Sequence, residues 1–385
     1  MKNFLNFLLC AALAVFVAYE ISGSGGIFIL VLLIIALVTS VSSLLVSVWG
    51  VNVELELSTE ILNKGDSFEA RLITTAKDVL PTCFIEVTLG LTPNIKSEDG
   101  TLTYKYISSK RLGGTIDIPL NAKLCGSGSV YIEQIVLSDY LGLFSKKLGR
   151  LPEGREIRII PNIPDTGSQT EVLKSTSERI SFDDSDEESD ETSSALTGVP
   201  GYEHRQYTVG DPLKRINWKL SSKKDQLMVR LDEKVTSSSQ VFQLDIPKSG
   251  GDIEESYTNA DKITEAALAL LSMLIRSGYE SEFNYYIEGW EMAEIKDEKS
   301  LQLLQERLAS LKPYPAGQRF PDHNINAKGK AMMCFTSCTN DMPKELNELA
   351  DNFTGSLVVT KRSGIGKVTG DMWQVSDDFE FSKIQ

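Results

Sequence analysis

The chain has 385 residues, 42% of them hydrophobic, and a formal net charge of −14. That length accommodates two soluble domains besides an anchor. The negative balance argues against a general nucleic-acid binder, which needs a basic face to meet phosphates.

The first 50 residues hold only Lys2 and Glu20 as charged side chains. Phe4 to Tyr19 forms one apolar run, and Ile27 to Val48 forms a second, uncharged run of 22 residues. At ~1.5 Å rise per residue the second run spans a hydrocarbon core of ~30 Å. The first run lacks a clear cleavage site, so a two-span hairpin is expected rather than a signal peptide. Glu20 to Gly26 would form its turn. Two spans put both chain ends on one side, and Lys2 tips the positive-inside rule toward a cytoplasmic body.

Residues 51–165 read as strands. Val51–Leu57 alternates apolar and polar residues, and Phe84–Leu89 is β-branched and aromatic. Turn signals at Asn63–Asp66 and Gly126–Gly128 separate such runs. The expected fold is an immunoglobulin-like β-sandwich. Residues 166–196 form an acidic linker: seven of the eleven residues from Ser181 to Glu191 are Asp or Glu. Such a segment has little to bury, and disorder is expected.

From residue 197 to 385 strands and helices alternate. Gln240–Leu244, Phe283–Ile287, Ala331–Phe335 and Gly355–Val359 read as strands. Asn259–Ser277, Leu301–Leu311 and Pro343–Leu349 read as helices, the first from Ile263, Ala266, Ala267, Leu270, Leu271 and Leu274 at helical spacing. The pattern implies a parallel sheet covered by helices on both faces.

One stretch stands apart. Gly201, Arg205, Tyr207, Gly210-Asp211-Pro212, Arg215, Ile216, Trp218, Lys219, Ser221, Val229 and Arg230 lie within a cationic island. From Arg205 to Arg230 it has seven basic residues against two acids. Asp211 can cap a short helix carrying Arg215 and Trp218, with Trp218 as a packing anchor. The island is either a partner-binding surface or a set of salt bridges between the soluble domains.

This order of residues resembles the bacterial family known as domain of unknown function 58. Ser138 to Phe144, the Ile157–Pro161 strand and the paired N-terminal runs resemble it as well. The resemblance implies a membrane-anchored chain with a β-sandwich followed by an α/β von Willebrand factor A-like domain. It implies MoxR-type AAA+ ATPases, and transglutaminase-like membrane proteins, as partners. Taken as a partner-binding surface, the island would act through Arg205, Tyr207, Asp211, Arg215, Trp218, Lys219 and Arg230. Domains of that type hold a divalent cation through Asp-x-Ser-x-Ser. Here the stretch is Asp245-Ile246-Pro247-Lys248-Ser249, in which only Asp245 and Ser249 match. Mg²⁺ binding there is the weaker alternative to a capped turn.

Other chemistries lack their residues. His204 and His323 are the two histidines, too few for a multi-histidine zinc site. Five cysteines show no disulfide-rich spacing. Ser363–Lys367 lacks phosphate-loop spacing. No nucleophile-base pairing marks an enzyme. The reading is thus a non-catalytic, membrane-tethered interaction protein working with a MoxR-type ATPase in assembly of a membrane or envelope complex. The alternative is a metal-dependent adhesion or ligand-binding module.

Overall fold

The computed structural model describes residues 2–20, 23–76, 83–107, 114–164, 200–206, 216–224, 226–232, 240–248, 252–276, 279–314, 332–338, 355–360 and 371–384. Side chains are described for all of these except Lys2, 200–206, 229–232 and 355–357. The chain divides into two units, Met1–Ile160 and Pro161–Gln385.

The first unit opens with two helices, α1 (Lys2–Glu20) and α2 (Gly23–Gly50). Both are long and apolar enough to cross a membrane. The glycines expected in the turn are helical instead, so α2 starts four residues before Ile27. A Cβ at Gly26 would lie 2.2 Å from the Ala18 Cα. Glycine there lets the two helices meet backbone to backbone, as small residues do at apolar helix interfaces.

Ten strands follow: β1 (Val51–Leu57), β2 (Ile61–Asn63), β3 (Ser67–Ala76), β4 (Phe84–Leu91), β5 (Ile95–Ser97), β6 (Thr103–Tyr106), β7 (Gly114–Ala122), β8 (Gly126–Ser138), β9 (Ser145–Lys147) and β10 (Arg155–Ile160). Among the described residues they form two sheets, β1-β3-β7-β5 and β2-β10-β8-β4-β6, with β9 added on β8. Alternation decides which side chains enter: Phe68, Ala70 and Leu72 of β3 are buried, while Glu69 and Arg71 are exposed. Leu55, Leu72, Ile85, Ile118, Leu120, Ile135 and Ile157, from both sheets, share one core. Gly126–Gly128 is strand rather than the expected turn, paired with Ile157–Ile159 of β10. A Cβ on Gly128 would press on Ile95 Cδ1 at 3.0 Å, which accounts for glycine within the strand.

The second unit contains β11 (Pro200–Gln206), α3 (Trp218–Lys224), β12 (Met228–Asp232), β13 (Gln240–Asp245), α4 (Ile253–Arg276), β14 (Ser281–Tyr286), β15 (Trp290–Ile295), α5 (Glu298–Leu308), β16 (Met332–Thr336), β17 (Gly355–Val359), β18 (Asp371–Val375) and β19 (Phe381–Lys383). Among the described residues, seven strands form one sheet in the order β15-β14-β13-β16-β17-β18-β19. Its five inner strands run parallel, and β15 and β19 are antiparallel edges. The chain steps from β13 outward to β14 and β15, then returns to β16 on the other side of β13. The order therefore reverses between β13 and β16, the switch point of a doubly wound sheet.

Helix α4 is six residues longer at its start than the periodicity implies, and Ile263, Ala266, Ala267, Leu270, Leu271 and Leu274 are all buried. Its core partners include Phe242, stacked against Phe335 at 5.6 Å and Phe283 at 6.2 Å. Helix α5 starts three residues early because Asp297 caps it: its carboxylate accepts from Ser300 N at 2.7 Å, and Ser300 Oγ accepts from Asp297 N at 3.0 Å. The acidic linker, the Pro343–Leu349 helix and the Ser363–Lys367 loop lie outside the described residues.

Candidate functional site at the carboxyl edge of the parallel sheet

Asp245 ends β13 and Thr336 ends β16, directly paired across the switch point. Ligands of open α/β sheets bind in the crevice at this place. The Asp245 side chain is fully buried. Thr336 Oγ1 donates to its Oδ2 at 2.6 Å, and the Tyr314 hydroxyl donates to its Oδ1. Ser337 N donates to the Asp245 carbonyl at 2.9 Å.

Tyr314 is brought there by Pro247. The two residues form an isolated parallel bridge, flanked by Tyr314 N to Ile246 O at 3.1 Å and Lys248 N to Tyr314 O at 2.7 Å. The Tyr314 ring then packs against Tyr286 and Trp290, with centroids 5.0 and 6.0 Å away. Where a cation site would place a hydroxyl, this chain uses a proline to dock a tyrosine onto the aspartate.

The donors described around Asp245 do not by themselves make up a divalent-cation site. A hard cation needs several oxygen ligands with free lone pairs, usually from more than one carboxylate. Asp245 is a single carboxylate with each oxygen already accepting a hydroxyl proton. No group of three His, Cys, Asp or Glu side chains converges among the described residues. Ser249, the other expected ligand, lies outside them.

The cationic island is described in part. Arg205 lies in β11 opposite Val229, and Arg230 lies in β12 opposite His204. Tyr207, Asp211 and Arg215 lie outside the described residues. Helix α3 starts at Trp218, and Asn217 caps it: Asn217 Oδ1 accepts from Leu220 N at 3.1 Å. Ser221 Oγ donates to Asn217 O at 2.8 Å and accepts from Met228 N at 2.9 Å, tying α3 to β12.

Trp218 is not the packing anchor its size implied. It is 63% exposed, whereas Ile216 and Met228 are buried and do the anchoring. The reason is local: α3 turns Ser221 inward, and the indole at its first position faces out. Lys219, Lys223, Lys224 and Leu227 are exposed with it.

A further cluster escaped the sequence reading. Asp139 and Ser40 are both buried in the first unit. Ser40 Oγ donates to Asp139 Oδ2 at 2.7 Å and accepts from Leu141 N at 3.2 Å. Phe144 N donates to Asp139 Oδ1 at 2.7 Å. Ser47 Oγ accepts from Cys83 N at 3.2 Å, and burial pushes the Cys83 thiol up. Ser40, Leu44 and Ser47 are the buried face of α2 toward the sandwich. Their three- and four-residue spacing was the available signal, a small polar stripe in an apolar run.

No protein-family model matches the chain, and no curated protein does. Among solved structures, a type I cohesin–dockerin complex from Clostridium thermocellum matches at 10% identity and a TM-score of 0.22, covering 28% of this chain and 99% of that one. A conjugative transposon lipoprotein from Bacteroides eggerthii matches at 12% identity and 0.18, over 26% and 99%. The sporulation control protein Spo0M from Bacillus subtilis matches at 11% identity and 0.15, over 29% and 49%. Similarity at these scores assigns nothing to the chain.

Proposed function

We propose that this chain is a non-catalytic, membrane-tethered interaction protein whose α/β unit docks a protein partner. The observation that carries the reading is the exposed patch on α3 and the turn after it. Trp218 at 63% and Leu227 at 43% exposure flank Lys219, Lys223 and Lys224 in a chain of net charge −14. An exposed Trp is a side chain that protein interfaces select, and the lysines around it would steer an acidic partner surface toward it. The locked Asp245 supports the same reading, because a buried carboxylate held by two hydroxyls is poorly placed for acid–base work.

The strand order of the seven-stranded sheet supports a von Willebrand factor A-like fold for this unit. The two sheets around one core support an immunoglobulin-like sandwich for the other. The resemblance of the island to the domain of unknown function 58 family makes a MoxR-type AAA+ ATPase the partner. The body then lies in the cytoplasm, with α1 and α2 as spans and assembly of a membrane or envelope complex as the task.

Co-purification tests this directly. Trp218→Ala with Lys219→Glu should reduce recovery of the ATPase while the thermal midpoint stays unchanged. Undiminished recovery would remove α3 as the docking surface. The competing reading, a metal-dependent ligand-binding module, draws on the position of Asp245 at the switch point. It requires a cation to displace the Tyr314 hydroxyl from that carboxylate.

A further inference from the structure

Asn3, near the start of α1, donates through Nδ2 to Gly142 O at 3.3 Å. Ser40 of α2 meets Asp139 and Leu141. One short loop thus holds both helices of the hairpin at one level. Gly142 has φ +65°, and a Cβ on it would lie 2.6 Å from Asn3 Nδ2, so glycine is needed for this contact.

That level has a meaning in length. Asn3–Glu20 is 18 residues, and Gly23–Ser40 is the same length. Each stretch rises about 27 Å at ~1.5 Å per residue, close to the ~30 Å of a hydrocarbon core. The turn end and the loop end of the hairpin are therefore one bilayer apart. Beyond Ser40, Leu44 and Ser47 are buried against the sandwich. Leu45, Val46 and Trp49, on the other side of α2, remain exposed and suit a headgroup layer.

The loop has a surface of matching chemistry. Tyr140, Phe144 and Leu151 are 41%, 45% and 44% exposed. Lys146, Lys147 and Arg150 are exposed among them, and the exposed acids that follow in the chain are Glu153 and Glu156. Scattered exposed apolar residues are ordinary on a protein surface. These adjoin the ends of two apolar helices, and aromatic rings with Lys and Arg are the groups that settle at a membrane interface. An acidic body held close to anionic lipid would otherwise be repelled from it.

We infer that the Asp139–Leu151 segment rests on the bilayer that holds the hairpin, with Tyr140 and Phe144 among the headgroups and Lys146, Lys147 and Arg150 bound to anionic phospholipid headgroups. The inference rests on reading α1 and α2 as spans. It adds that the sandwich is a lipid-contacting collar rather than a body free of the surface.

The full chain, reconstituted in vesicles of phosphatidylethanolamine with a minority of phosphatidylglycerol, tests it. A photoreactive benzoylphenylalanine is placed at Phe144 or, as a reporter of the span, at Leu32, which is 49% exposed on α2. Both positions should cross-link to lipid. The Phe144 yield should fall roughly fivefold or more when Lys146, Lys147 and Arg150 are changed to Glu, as the attraction of each base to an anionic surface implies. Cross-linking at Leu32 with none at Phe144 overturns the inference and leaves the anchor standing. Absence at both positions overturns the anchor itself. Capture of protein by Phe144, whether a second copy or a partner, also overturns the inference.

Discussion

The hydroxyl of Ser40, midway along an apolar helix, donates to the carboxylate of Asp139 at 2.7 Å, and both residues are shielded from solvent. An ionisable group buried in this way must have its lone pairs satisfied. Asp139 does so with one donor from α2 and one from its own loop, Phe144 N. The same pair that satisfies the charge therefore fastens the hairpin to the sandwich.

Removing one partner should be costly. Ser40→Ala is expected to destabilise the first unit by roughly 1–3 kcal/mol, the range for leaving a buried acceptor without its donor. Asp139→Ala, which leaves both Phe144 N and the Ser40 hydroxyl without their acceptor, should cost at least as much. Thermal unfolding of the full chain in detergent, followed by a double-mutant cycle, checks this. Additive losses would mean that the two residues do not act through each other.

Tyr314 and Asp245 give a second prediction. Tyr314→Phe keeps the ring packing on Tyr286 and Trp290 but leaves one oxygen of a buried carboxylate without its hydroxyl donor. A loss of roughly 1–3 kcal/mol is expected in the second unit. Mg²⁺ should leave the thermal midpoint of the unmodified chain in place. A rise in that midpoint that disappears with Asp245→Ala would favour the metal-dependent reading instead.

Tyr285 predicts an alkaline limb. It is buried, and burial, reinforced by its hydrogen bond to Glu291 at 2.8 Å and by the charge of that carboxylate, pushes its hydroxyl from 10 up to about 12. The folded state thus holds this proton more tightly than the unfolded chain does. The stability this supplies is complete below about pH 10 and is lost as the pH rises through about 12. Denaturant midpoints measured over that interval should fall less steeply in Tyr285→Phe than in the parent chain. Tyr106 and Tyr257, also raised by burial, keep part of the limb in the variant. Identical slopes would remove Tyr285 as a cause.

Trp218 predicts the opposite kind of result. A side chain 63% exposed contributes little to folding, so Trp218→Ala should change stability by no more than about 0.5 kcal/mol. Its loss should appear in partner recovery alone. A large drop in the unfolding midpoint would return Trp218 to the core.

Elements with their own apolar signal were readable from the chain. Strands β13 and β16 are buried at every position, with Val241, Phe242 and Leu244 and the run Met332–Phe335 as their apolar signal, and α4 repeats its buried residues at helical spacing. The edge strands β15 and β19 were not found, because Trp290–Ile295 and Phe381–Lys383 mix exposed and buried positions and gain their order from a neighbour. Pro247 was read as a lost ligand, and its bridge to Tyr314 depends on a residue far along the chain. Ser40 and Asp139 lie 99 positions apart, so only the tertiary fold brings them together. Asn217 caps α3 because it stands directly before the first helical residue, and the expected cap, Asp211, lies outside the described residues.

The central proposal is a protein tethered by α1 and α2 with its body on the cytoplasmic side, where an ATP-dependent partner can reach it. The most direct measurement is maleimide labelling in intact cells of a single introduced cysteine, Asp99→Cys, on the exposed rim of the sandwich. Cys10 and Cys338 are replaced by alanine, and the three remaining native cysteines are buried. The account predicts that the chain stays with membranes under alkaline carbonate, resists a membrane-impermeant reagent before lysis and labels after it. Labelling in intact cells would place the body outside and contradict the ATPase assignment.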